Sequence, residues 1–178
     1  MKTYALYGFI SSLAGAFIVL ILYFTGLHSD IAKLPTAQWV GGLLGLAAVV
    51  TCLILGIKAR REEVPLDEDF GFGKSFFAAF MISTISTLLN TVFNYIYNVY
   101  INPGFTDIML QDRLNKIEAS GASGAKMDQA EAMTRTMFHP VPQAIFYVIF
   151  GMVLAVVLSL IMAGFFTRKA VQPPKITA

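Results

Sequence analysis

Four long stretches of the chain carry no Asp, Glu, Lys, Arg or His in their interiors: about Tyr4–Leu27, Gln38–Ile57, Ser75–Ile101 and Val141–Phe166. A helix needs about 20 mostly apolar residues to cross about 30 Å of hydrocarbon. All four are long enough. Composition points the same way: 56% of the 178 residues are hydrophobic and 13% charged, against about 45–50% and about 25% in soluble domains. The expected fold is an all-α integral membrane protein with four transmembrane helices, forming a single membrane domain over residues 1–178. The first stretch exceeds the apolar core of a secretory signal and is followed by no convincing small-x-small cleavage site. It reads as an uncleaved span.

The net charge of +2 is too small to argue for a nucleic-acid partner. The lone cysteine, Cys52, excludes an intramolecular disulfide framework and a cysteine-only metal cluster. It lies mid-span and reads as an inert apolar side chain.

Orientation follows the short basic segments. Lys2, Lys58, Arg60, Arg61, Lys74, Arg168, Lys169 and Lys175 fall on one side. The other side has Lys33 in a short loop, and Arg113, Lys116, Lys126 and Arg135 in a long one. Both termini, loop 58–74 and tail 167–178 are therefore expected on the cytoplasmic side, with loop 102–140 on the opposite side. Trp39 and the tyrosines Tyr95, Tyr97 and Tyr100 lie where an outer aromatic belt is expected.

Helices in lipid associate through close backbone contact and interhelical hydrogen bonds. Span four repeats small residues every fourth position, at Gly151, Ala155, Ser159 and Ala163. Gly41 and Gly45 in span two, and Gly8, Ser12 and Gly15 or Ala16 in span one, have similar spacing. These stripes predict helix contact, chiefly within the chain. Span three instead aligns Ser83, Thr87, Asn90, Asn94 and Asn98 on one face, flanked by Ser86 and Thr91. Unpaired amides in lipid are costly. That face must turn inward, as hydrogen-bonded glue or as the lining of a polar cavity.

Asn102-Pro103 ends span three, because the residue before proline avoids helical geometry. Beyond it, Asp107–Ala119 and Lys126–Phe138 read as two helices around the turn Ala119–Ala125. Their apolar faces, Leu110, Leu114 and Ile117 against Met127, Ala130, Met133 or Thr134, and Met137, predict a helical hairpin.

The segment DEDFGFGKSFF, Asp67–Phe77, contains the tail of a phosphate-binding loop and a kinase tripeptide. A phosphate loop needs glycine five positions before Gly73, where this chain has Glu68, and it must follow a strand. The other kinase elements are missing. The segment reads instead as a juxtamembrane elbow of Phe70, Gly71, Phe72, Gly73 and Lys74. Its glycines turn the backbone, Phe70, Phe72 and Phe76 sink into the interface, and Lys74 stays with the headgroups.

The order GIKARREE, FGFGKSFFAAF and YIYNVYINPGF, then a charged helical loop and a last apolar span, resembles the bacterial membrane family called domain of unknown function 4199. The resemblance covers most of the chain. It implies a four-span helical membrane protein and brings no catalytic residues or assigned activity.

No catalytic motif, dinucleotide fingerprint or paired metal motif is present, and no cofactor is implied. His28 and His139 both fall near the outer surface, which makes a bis-histidine site conceivable. Glu62, Glu63, Asp67, Glu68 and Asp69 are the one acidic cluster that can serve a metal-dependent lipid enzyme. The leading expectation is a non-enzymatic accessory or scaffold subunit in contact with membrane lipids. It would dock a membrane-protein partner or a second copy through the outer hairpin or a small-residue stripe. The alternative is a carrier or binding protein for a lipid, quinone or small solute that uses the polar face of span three.

Overall fold

A computed structural model describes residues 1–121 and 124–171. Lys175 and the middle of the turn after Ala119 lie outside the described residues. Among the described residues six α-helices follow one another: α1 (Lys2–Phe24), α2 (Leu34–Glu62), α3 (Phe72–Ile96), α4 (Gly104–Ala119), α5 (Ala125–Phe138) and α6 (Pro140–Phe165). α1, α2, α3 and α6 are long and apolar enough to cross a membrane. The 29 residues of α2 rise about 43 Å, more than the hydrocarbon thickness. Its last turns, with Lys58, Arg60 and Arg61, therefore project beyond the apolar layer.

Local chemistry sets the helix ends. α1 stops at Phe24, short of the expected Leu27, because Gly26 adopts a left-handed φ of +74°. There the Gly26 N–H bonds the Tyr23 carbonyl and the Leu27 N–H bonds the Leu22 carbonyl, both at 2.9 Å. This glycine-dependent pattern satisfies carbonyls that the last turn leaves free. A short 3-10 turn, Ile31–Lys33, leads into α2, and the Asp30 carboxylate caps it by accepting from the Ala32 N–H at 2.9 Å. Proline stands in the first turns of α2 and α6, where its missing N–H costs nothing. α3 widens into a π-turn over Tyr97–Ile101, closed by the Asn102 N–H on the Tyr97 carbonyl at 2.7 Å.

α3 is the central helix. It packs along α6, α1 and α2, and α1 also packs along α2, whereas α2 and α6 have no comparable contact. The bundle is thus open between α2 and α6. α4 and α5 pair as a hairpin, α4 resting on the loop turns and α5 reaching α6. Leu110 and Thr134 are the buried positions of that pair, while Met133 is 65% exposed. Of the two residues considered for the inward face of α5, Thr134 takes it.

The packed core occupies the end of the bundle that holds Met1. Leu53, Ile57, Val64, Phe70, Ala78, Ile82 and Met162 meet there. Close approach is visible at Gly56, where a Cβ would come within 2.5 Å of Ile82 Cδ1. Residues 166–171, just past α6, close this end. Phe70 and Arg168 exchange two backbone hydrogen bonds of 2.8 Å, and the Val171 N–H reaches the Leu66 carbonyl at 2.8 Å. The Arg168 guanidinium donates to the carbonyls of Arg61, Val64 and Pro65. Arg60 joins α2 to α1 by donating to the Tyr4 hydroxyl at 2.9 Å. The Thr3 hydroxyl, helped by Arg60, holds the Glu63 carboxyl below its usual range.

Two sequence expectations are corrected here. Phe70 does not sink into the interface: it is 1% exposed and belongs to the protein core, drawn in by its pairing with Arg168. Gly71 and Gly73 supply no special backbone freedom. Gly71 is extended, with φ −77° and ψ −179°, and caps α3, Gly73 is already helical, and a Cβ on either would meet nothing. The elbow is held by the bridge to Arg168. Phe72 remains exposed, and Lys74 pairs with Glu68 at 3.0 Å.

Candidate functional site

The polar face of α3 divides into three parts. Near the packed end, Ser83 is buried and Thr87 meets α6 at Gly151, where a Cβ would lie 2.5 Å from Thr87 Cγ2. Ala155, Ser159 and Ala163 continue that contact and are buried. The α6 stripe is therefore used inside the chain. At the far end, Asn98 is buried and donates to Gln143 of α6 at 3.1 Å. Ser86 donates to Ser11 of α1 at 3.0 Å. These two bonds are interhelical glue.

Asn90 and Asn94 behave differently. Each donates its amide Nδ2 to the carbonyl four residues earlier, Asn90 to Ser86 at 3.1 Å and Asn94 to Asn90 at 2.8 Å. A carbonyl only accepts, so the atom facing it must be the NH2 group. That orients both Oδ1 atoms away from their own backbone. Among the described residues no donor reaches them. Asn90 Oδ1 sits over Gly15 of α1, where a Cβ would approach to 2.8 Å. Gly15 thus makes room for the amide.

Both asparagines line an open crevice that begins beside the packed core and runs toward the hairpin end of the bundle. One part, about 390 Å³, runs between α1, α2 and α3 from Ser11 to His28. The other, about 210 Å³, lies between α3 and α6. Val49, Asn90, Asn94 and Tyr147 line both parts. The crevice exists because α2 and α6 stand apart. The glycines of α2 widen it: Gly42 and Gly45 line it, and a Cβ on either would meet nothing within 4 Å. Gly41 does make a helix contact, 2.9 Å from Leu22 Cδ1 for an added Cβ. Gly45, expected to share that role, faces open space instead. Among the described residues the lining contains no Asp, Glu, Lys or Arg.

A buried aromatic cluster closes the hairpin end of the crevice. Tyr97 is 1% exposed, which removes it from the expected aromatic belt, whereas Tyr100 is 72% exposed. The wide π-turn carries Tyr97 and Asn98 inward together. The Tyr97 hydroxyl lies 2.7 Å from His28 Nδ1 and accepts from Asn102 Nδ2 at 2.9 Å. His28 stacks on Phe105 at 4.2 Å between centroids. Burial pushes the His28 pKa down, favouring the neutral ring. A buried tyrosine hydroxyl must donate as well as accept, and His28 Nδ1 is the acceptor in reach. This pattern assigns the ring proton to Nε2, which has no hydrogen-bond partner among the described residues. Sequence reading missed the cluster, because its members are 69 residues apart or differ in element. The available signal was the pair of polar aromatic residues beside Asn102-Pro103.

Other sequence candidates do not converge. His139 is exposed at the start of α6 while His28 is tied to Tyr97. Glu63 is held by Thr3 and Arg60, Glu68 by Lys74, and Asp69 accepts from the Ala170 N–H. Among the described residues no group of three or more His, Cys, Asp or Glu side chains could hold a metal ion.

Fold and site together define a multi-pass α-helical membrane protein with a hydrogen-bonding crevice. The chain belongs to the family described as protein of unknown function, DUF4199, whose profile matches residues 6–168. That agrees with the resemblance read from its sequence. No curated protein and no solved structure matches the chain.

Proposed function

We propose that this protein is a non-enzymatic binding protein of the bacterial inner membrane, with both termini cytoplasmic, that holds a lipid, quinone or other small amphiphile in the crevice along α3. The observation that carries this reading is the different use of the asparagines. Asn98 joins two helices, but Asn90 and Asn94, which line the crevice, bond only their own helix and leave their acceptor oxygens without a donor among the described residues. Binding sites combine an apolar wall with a few placed polar groups, and this lining fits that description. Amides, hydroxyls and one histidine supply recognition and no obvious nucleophile. The experiment is the double substitution Asn90→Leu and Asn94→Leu, purified in native lipid discs. Loss of a co-purifying ligand from a protein of unchanged helicity supports the proposal. Retention of the ligand, or collapse of the fold because these amides are glue, defeats it.

A second reading, an accessory subunit docking a membrane partner, is favoured by one surface only. Met133 and Met137 are exposed on α5, and methionine faces adapt to varied partners. The α6 stripe no longer supports it. Native mass spectrometry showing only free protein after mild extraction would remove this reading.

A further inference from the structure

Resting on the binding reading above, we infer that the ligand of the crevice is an uncharged amphiphile carrying a hydroxyl group and a second oxygen, received sideways from the bilayer between α2 and α6. Three features lead there.

The first is charge. With no Asp, Glu, Lys or Arg lining either part among the described residues, a phosphate or ammonium headgroup would enter a low-dielectric crevice without a counter-ion. Such desolvation is strongly unfavourable. Anionic phospholipids are excluded as preferred occupants.

The second is the polarity of the hydrogen-bonding groups. Asn90 Oδ1 and Asn94 Oδ1 only accept, so the ligand must donate there, and a hydroxyl is the donor an uncharged lipid carries. At the hairpin end His28 lines the crevice, and the tautomer that its Tyr97 contact favours leaves Nε2–H as a donor without a partner among the described residues, which an oxygen of the ligand would meet. A lipid alcohol with an ester, such as a diacylglycerol, and a quinol share this chemistry. A triester or an oxidised quinone lacks the donor.

The third is the way in. The gap is walled by Val49 of α2 and by Phe150, Leu154 and Leu158 of α6. All are apolar. Water-borne solutes gain nothing from such a wall, whereas an acyl or prenyl chain can lie across it. Gly42 and Gly45 leave α2 smooth on the crevice side.

The test measures probe retention by native mass spectrometry on the full chain in lipid discs. The probes are dioleoylglycerol, triolein, dioleoylphosphatidate, and a short-chain naphthoquinone in reduced and oxidised forms. Dioleoylglycerol or the quinol is expected to be held about tenfold or more above its hydroxyl-free counterpart and above phosphatidate, the factor that an unmet buried acceptor implies. Which of the two wins separates a lipid source from a quinol source. The variant Gly45→Leu should fold normally, since its Cβ meets nothing, and should lose that retention by filling the crevice. Equal retention of triolein, of the oxidised quinone or of phosphatidate, still abolished by Gly45→Leu, overturns the ligand class and leaves the binding reading standing. Retention indifferent to Gly45→Leu, or no probe retained, overturns both.

Discussion

At the scale of single residues, glycine shows how differently one residue type can be used. Gly151 is a contact: adding one methyl group places it 2.5 Å from Thr87 Cγ2, well inside van der Waals distance. Gly151→Ala should therefore lower stability by about 1–3 kcal/mol, the usual cost of overpacking. Melting in detergent by circular dichroism checks this, and adding Thr87→Ser, which deletes Cγ2, should restore part of the loss. His28 yields a pH dependence. Burial lowers its pKa from 6.5, so between the lowered value and 6.5 the unfolded chain binds more protons than the folded one. Stability then rises with pH across that window and is lost on acidification. Melting temperature should fall as pH drops below 6.5, with Tyr97 the titratable partner facing the ring. His28→Gln should flatten that slope.

Among the elements, the segment after α6 has a role that hydropathy conceals. Arg168 counts as a positive charge for topology, yet its guanidinium is spent on the carbonyls of loop 63–71. A planar fork suits several acceptors at once, which lysine cannot copy. Arg168→Ala should cost about 1–3 kcal/mol, for hydrogen bonds from a charged donor that is partly solvated. Limited proteolysis should then cut within 63–71 much faster than in the parent chain, and Arg168→Lys should not rescue it. Unchanged cleavage would show that Phe70 alone anchors the loop. The π-turn of α3 is the complementary device at the other end. Its extra residue per turn brings Tyr97 and Asn98 inward together, one to His28 and one to Gln143.

For the whole molecule, packing is uneven along the membrane normal. Buried apolar contacts concentrate at the end that holds Met1, and the larger part of the crevice occupies the other end. One end is a closed core, the other a splayed set of helices around α3. Orientation ties this to the cell. Cys52 is buried, so a Cys52→Ala background accepts single reporter cysteines. Ser120→Cys, at the hairpin tip, should react with an impermeant maleimide in spheroplasts. Leu66→Cys, in the exposed part of loop 63–71, should react only after lysis. The reverse pattern would place the crevice mouth on the cytoplasmic side.

Hydropathy along the chain was enough to determine the four apolar helices, because transfer into lipid is a local property of each segment and backbone groups there must be satisfied within helices, and the helical spacing of apolar residues was enough for the hairpin. The inward turn of the α3 polar face was legible for the same reason. What only the tertiary structure decided is which neighbour each face meets. Phe70 and Tyr97 look like interfacial aromatics in sequence, yet distant partners, Arg168 and His28, draw them inside. Gly45 and Gly151 are alike in one dimension, but α3 lies against one and open space against the other. Asn98 and Asn94 share a helical face, and only Asn98 finds a partner on another helix. The physical reason is that the separation of α2 from α6 arises from packing between segments far apart in the chain, and no local pattern encodes it.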